Sequence, residues 1–154
     1  GSVGHMGTNW LTPSEMDAWR TYIETYADLV TAIERDLGAH DLTLGDYQVL
    51  VYLSEAKGRS MRMCDLADRL QLSPSGLTRR LDGLVKTGFV RRVPSTEDRR
   101  VMMAELTDAG FGALAAAAPD HVASVRRHIF DHLDDQQVAA MASIFTAIST
   151  GLES

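Results

Sequence analysis

Apolar residues recur at alternating steps of three and four in the first third of the chain: Met16, Trp19, Ile23, Tyr26, Val30, Ile33 and Leu37. That spacing predicts one long helix with a narrow apolar seam. Thr12-Pro13-Ser14-Glu15 in front of it reads as a capping box with proline at the first helical position, and Gly38 marks its end. Thr43 and Asp46 open a second helix whose apolar face is Leu44, Tyr47, Leu50, Val51 and Leu53, and Gly58 breaks it. A short helix is expected from about Asp65 to Leu70. Ser73-Pro74 then caps a fourth, running to about Lys86 with Leu77, Leu81 and Leu84 inward and Gly88 just past its last turn.

After Gly88 the period changes. Phe89 to Val93 and Val101 to Leu106 are short apolar or β-branched segments around the polar loop PSTEDRR, which predicts a β-hairpin. Thr107 starts a fifth helix carrying Phe111, Leu114, Ala118, Val122, Val125, Ile129 and Leu133, in which Pro119 is expected to produce a kink. Asp134 to Gln137 form another capping box. Val138, Met141, Phe145, Ile148 and Leu152 give the sixth helix the three-four spacing of the first. The expected class is mainly α with one small β-hairpin.

The hairpin follows a tight pair of helices, Asp65 to Leu84, with only Gln71-Leu72-Ser73 between them. This is a helix-turn-helix, whose second helix lays its first residues in the major groove of DNA. Ser73, Ser75, Thr78 and Arg79 stand there, and Gly76 lets the backbone approach closely. Hydroxyls and a helix N-terminus suit phosphates, and arginine can fork onto guanine. The hairpin tip Asp98-Arg99-Arg100 reads as a wing suited to the narrow minor groove, whose negative potential attracts arginine.

Charge strengthens this reading. The 154 residues carry a net −6, yet residues 57–100 hold eleven Lys/Arg against five Asp/Glu, a local +6 beside −12 elsewhere. Arg79 and Arg80 on the recognition helix belong to this set, as do Arg99 and Arg100. An isolated charge run is usually a solvated face. A contiguous basic third in an otherwise acidic chain instead suggests a polyanion held in the middle and repelled elsewhere.

Composition excludes several classes. No run approaches the length of a membrane-spanning helix and no signal peptide is visible. The single cysteine, Cys64, rules out an internal disulfide framework and fits a reducing cytoplasm. No nucleophile-base set, phosphate loop or complete metal set is present, so neither an enzyme nor a cofactor is expected. The opening GSVGHM reads as an expression-tag remnant in residues 1–6.

The stretch MCDLADRLQLSPSGLTRRLDGLVKTGFVRR, followed by EDRRVMMAELTDAG, resembles the MarR family of winged helix-turn-helix regulators. The resemblance spans about Leu11 to Leu152, and its most specific parts are LSPSGLTR and the wing pattern DRR…LTDAG. It implies a homodimer on a pseudo-palindromic operator, with the first, fifth and sixth helices intertwined. Residues 7–40 would then be an N-terminal dimerisation helix, 41–106 the winged helix-turn-helix domain and 107–154 the C-terminal dimerisation helices. The family's Asp-x-Arg wing pattern falls on Asp98 and Arg100, implying that the aspartate steadies the wing and the arginine enters the minor groove. It further implies a small, often aromatic effector, for which Trp19, Tyr22 and Tyr26 are candidate contacts, and cytoplasmic repressor function. Gln71 departs from the wider helix-turn-helix pattern, in which glycine is common in the turn.

Other residues suggest rival readings. Cys64 sits just before the first helix of the helix-turn-helix, where a helix N-terminus can lower a thiol pKa. It has no partner cysteine, and peroxide sensors of the resembling family carry their cysteine in the first helix. His121, His128 and His132 share a helical face, with a zinc-like i, i+4 spacing between the last two, but nothing completes a site. A metal- or oxidant-triggered regulator is therefore one alternative. A winged helix that binds only protein is another, against which the set Ser75, Thr78, Arg79 and Arg100 argues.

Overall fold

The computed structural model describes residues 7–153; the tag remnant expected at 1–6 lies outside the described residues. The long first helix, α1 (Pro13–Leu37), starts as expected: the Thr12 hydroxyl accepts from the Glu15 amide and the Glu15 carboxylate accepts from the Thr12 amide. A 3₁₀ turn, Gly38–His40, leads to α2 (Leu44–Glu55), which repeats the capping box through Thr43 and Asp46. Next come a strand β1 (Ser60–Arg62), α3 (Met63–Leu70), α4 (Pro74–Lys86), the hairpin β2 (Val90–Pro94) and β3 (Met102–Leu106), α5 (Asp108–His128) and α6 (Asp135–Leu152).

Strand β1 is the element the sequence pattern does not reveal. It is three residues long, too short for alternation to show, and it pairs antiparallel with β3 from Ser60 opposite Glu105 to Arg62 opposite Met103. The sheet order is therefore β1-β3-β2, with Val90 opposite Leu106 on the other side. The chain passes directly from β1 into α3, so α3 begins at Met63. Cys64 thus lies inside the helix and not before it, and it is exposed.

The core belongs to the middle of the chain. Val49, Leu50 and Leu53 of α2, Leu66 of α3, and Leu77, Leu81 and Leu84 of α4 pack with Val90, Ala104 and Leu106 of the sheet. Ile33 and Leu37 from the end of α1 and Leu114 and Ala117 of α5 close it. Gly110 shows how tightly α5 abuts the hairpin: a Cβ there would stand 2.1 Å from the Phe89 carbonyl oxygen. Thr107 caps α5 by accepting from the Gly110 amide, while its own hydroxyl donates to the Gly88 carbonyl.

Helix α5 contains Pro119 within its span and differs from its expected form in two respects. It ends at His128, with a 3₁₀ turn over Phe130–His132. Leu114 is buried as expected, but Phe111 and Val122 are exposed, and the other residues turned inward are Gly110, Ala117 and Ser124. Helix α6 has no buried residue at all among those described, and its Ile144, Phe145, Ile148 and Leu152 face outward.

Candidate nucleic-acid interface

Helix α4 presents its N-terminal turn to solvent because three inward leucines, at i, i+4 and i+7, commit the opposite face to the core. Ser73 is the N-cap, its hydroxyl accepting from the Gly76 amide at 3.1 Å. Ser75 Oγ lies 3.2 Å from Ser73 Oγ, and Thr78 donates back to the Pro74 carbonyl at 3.0 Å. Gly76 is half-buried, and a Cβ there would meet Ser73 Oγ at 3.1 Å, so the cap itself favours glycine. Arg79 is exposed and, among the described residues, has no hydrogen-bonding or ion-pair partner. Its side chain is available to a ligand.

Arg80 is placed differently. Its guanidinium donates to Thr43 Oγ1 at 3.0 Å and pairs with Asp46 Oδ1 at 3.5 Å, lying over Gly45, where a Cβ would be 2.4 Å from Cζ. This arginine joins α4 to the start of α2, whereas its neighbour projects freely.

The wing tip is shaped by Asp98. Its carboxylate accepts from the Arg100 backbone amide and, through both oxygens, from Nε and Nη2 of the Arg100 guanidinium, each at 3.1 Å. These bonds hold the Asp98 carboxyl below the usual carboxylate range, the Arg100 side chain having the largest effect. Arg100 remains 91% exposed while so held, and Arg99 beside it is exposed too. The aspartate fixes the direction of the arginine without covering it.

Two residues not singled out in the sequence join the hairpin to the helix. Arg92 of β2 donates through Nη2 to the Thr78 carbonyl at 3.0 Å and to Asp82 Oδ1 at 2.6 Å. The crossing of β2 over α4, which brings them together, leaves no local signal.

The other candidates stand apart. Trp19, Tyr22 and Tyr26 are 54%, 44% and 54% exposed and form a row along α1, the Tyr22 ring 6.1 Å from Trp19 and 5.9 Å from Tyr26, with Phe145 of α6 6.3 Å from Tyr22. Tyr22 and Tyr26 line an open groove of about 640 Å³ with Leu29, Met141 and Phe145. None of the three aromatics is a core residue. The histidines do not gather: His121 packs against the Tyr47 ring with its buried Nδ1 unpartnered, His128 sits 2.9 Å from Asp36, and His132 falls in the 3₁₀ turn beyond α5. The described residues contain no cluster of three or more groups able to hold a metal.

A helix-turn-helix with an exposed, capped second helix, flanked by an arginine-tipped hairpin, defines a winged helix-turn-helix protein of the nucleic-acid-binding type. Comparison with known proteins identifies the family. Residues 40–101 match the profile of the MarR family. AbsC, a MarR family transcriptional regulator from Streptomyces coelicolor, is 39% identical, with a TM-score of 0.90 over 95% of this chain and 99% of that one. Sco3205, a MarR family regulator from the same organism solved in complex with DNA, is 34% identical, with a TM-score of 0.90 over 97% of this chain and 94% of its own. The transcriptional repressor YetL of Bacillus subtilis is 30% identical over 120 residues, covering 76% of this chain and 72% of YetL. The chain belongs to the MarR family of transcriptional regulators.

Proposed function

We propose that the protein is a non-catalytic repressor that binds a pseudo-palindromic DNA operator as a homodimer and is released from it by a small, often aromatic, ligand. The carrying observation is the pair of exposed arginines, Arg79 on the recognition helix and Arg100 at the wing tip, in the basic segment of an acidic chain. Arg79 would read base edges in the major groove with Ser75 and Thr78. Arg100, aimed by Asp98, would enter the minor groove, with Arg99 on the flanking phosphates. Ser73 and Gly76 would present the helix N-terminus to a phosphate. Arg80 would support the recognition helix from behind, because its guanidinium is already engaged by Thr43 and Asp46.

The relationship to Sco3205, solved with DNA, supports the DNA partner, and the repressor YetL supports the direction of regulation. Such a protein acts in the cytoplasm, with its DNA. No described helix is long and apolar enough to cross a membrane. The exposed apolar faces of α1 and α6, with Phe111 and Val122 of α5, form the surface through which residues 7–40 and 107–154 would pair two copies. Selection of bound fragments from a random duplex pool with purified protein tests the reading: a recovered inverted repeat is expected. A pool that stays unenriched at low salt would overturn it.

A further inference from the structure

We infer that Arg92 and Asp82 are a positioning pair that sets the angle of the wing against the recognition helix and so determines operator specificity without touching a base. The inference rests on the DNA-binding reading. Its origin is the alternation along β2. Val90 and Arg92 are two residues apart and share one face of the sheet. Val90 is buried in the core, and Arg92 lies opposite the buried Ala104. The Arg92 side chain is thereby directed across α4, where it engages the Thr78 carbonyl and the Asp82 carboxylate at once. Thr78 and Asp82 are one helical turn apart, so a single planar guanidinium grips α4 at two successive points.

The location explains why this contact matters more for geometry than for stability. The Arg92 and Asp82 side chains are 30% and 60% exposed, and an ion pair so exposed adds little to folding. Arg92 stands near the end of β2, which finishes at Pro94, and the arginine tip at Arg99-Arg100 follows within eight residues. A change of angle at Arg92 is therefore amplified at Arg100. The other end of the lever is Thr78, immediately before Arg79. The contact ties together the two segments that would occupy adjacent grooves. Asp82 has a further cost that calls for such a role: an acid one turn beyond Thr78, on a helix facing a polyanion, repels it unless otherwise employed.

That cost gives the test opposing signs. Asp82→Ala removes a negative charge from the DNA-facing surface, so charge alone predicts tighter binding to every duplex. As a positioning residue, its loss weakens the selected operator by roughly tenfold, the effect of losing one charge-assisted hydrogen bond, and leaves scrambled duplex within about twofold. Arg92→Ala, which also loses the bond to the Thr78 carbonyl, should weaken the operator at least as much, with the double substitution no worse than Arg92→Ala alone. The salt dependence should keep its slope in all three, whereas a lost phosphate contact would lower it by roughly 0.9 for each contact. Asp82→Asn, which retains an acceptor oxygen, should fall between. Operator binding that is unchanged or tighter in Asp82→Ala, or a reduced salt slope in Arg92→Ala, overturns the inference while leaving DNA binding intact. Failure of the unsubstituted protein to bind any duplex would instead overturn the reading on which it rests.

Discussion

Arg79 and Arg80 are neighbours in sequence with opposite fates. Helical geometry turns them about 100° apart, so one projects to solvent and the other reaches back to α2. Only the projecting one is free to reach a base edge in the proposed reading. Arg79→Ala should therefore weaken operator binding far more than random DNA, since a bidentate base contact discriminates by about 1–3 kcal/mol. Arg100→Ala should weaken both more evenly and lower the salt slope by roughly 0.9 per wing. Isotherms on operator and scrambled duplex at several salt concentrations distinguish the two. An unchanged operator-to-scrambled ratio in Arg79→Ala would remove that helix from the major groove. Gln71 lies in the turn of the helix-turn-helix, at the end of α3. Glycine is common in this turn, and the chain adopts the conformation that favours it: Gln71 has φ 58° and ψ 42°, left-handed. A side chain there costs roughly 1–2 kcal/mol in backbone strain, partly offset by the greater freedom of glycine when unfolded. Gln71→Gly should thus raise stability by about 1 kcal/mol in urea unfolding; a loss of stability would contradict the strain.

Among elements, α1 and α5 are joined through a single carboxylate. Asp36, near the end of α1, accepts from Ser124 at 2.6 Å, Arg127 at 2.8 Å and His128 at 2.9 Å, all on α5. The Ser124 hydroxyl first, then His128 and Arg127, hold the carboxyl down from its ordinary 3.8 to about 2. A carboxyl depressed on folding stabilises the folded chain above its unfolded pKa, and that contribution is lost as pH falls through the folded one. Asp36→Asn should therefore be less stable than the unsubstituted chain at neutral pH, with the gap narrowing between pH 3.8 and about 2. Chemical unfolding across that range measures it, and a gap independent of pH would show that the charge is not what joins the helices. The hairpin is attached to α5 by other means: the Thr107 hydroxyl at the Gly88 carbonyl and the bare Cα of Gly110 against Phe89.

At the scale of the whole molecule, apolar surface is unevenly distributed. The winged domain buries most of its leucines, yet Trp19, Ile23 and Tyr26 of α1 and Ile144, Phe145, Ile148 and Leu152 of α6 lie open in a single chain. Contiguous apolar surface of this extent marks an association site, and the seams on both helices point to self-association. Light scattering at micromolar concentration should give twice the 16.9 kDa chain mass, roughly 34 kDa. A folded 16.9 kDa monomer would refute the assembly. Charged substitutions at Tyr22 and Phe145, whose rings lie 6.3 Å apart across α1 and α6, should dissociate the dimer and abolish operator binding together.

Periodicity and caps alone determined most of the elements. The starts of α1, α2, α4 and α6 follow from side chains that bond backbone amides three residues away, so the information is local. The exposed Arg79 and the wing tip Asp98–Arg100 were legible for the same reason: helix phase and a two-residue contact. What depended on distant segments was not. The three residues of β1 are a strand only because β3 offers them partners. His121, His128 and His132 share a spacing but find Tyr47, Asp36 and a terminating turn instead of one another. Arg80 and Arg92 look like two more cations of a basic segment until the packing brings Asp46 and Asp82 to them. Charge along a chain is a property of composition, but which charges are neutralised internally and which remain for a ligand is decided when elements far apart in sequence meet, because ion pairs depend on distances that only the tertiary fold sets.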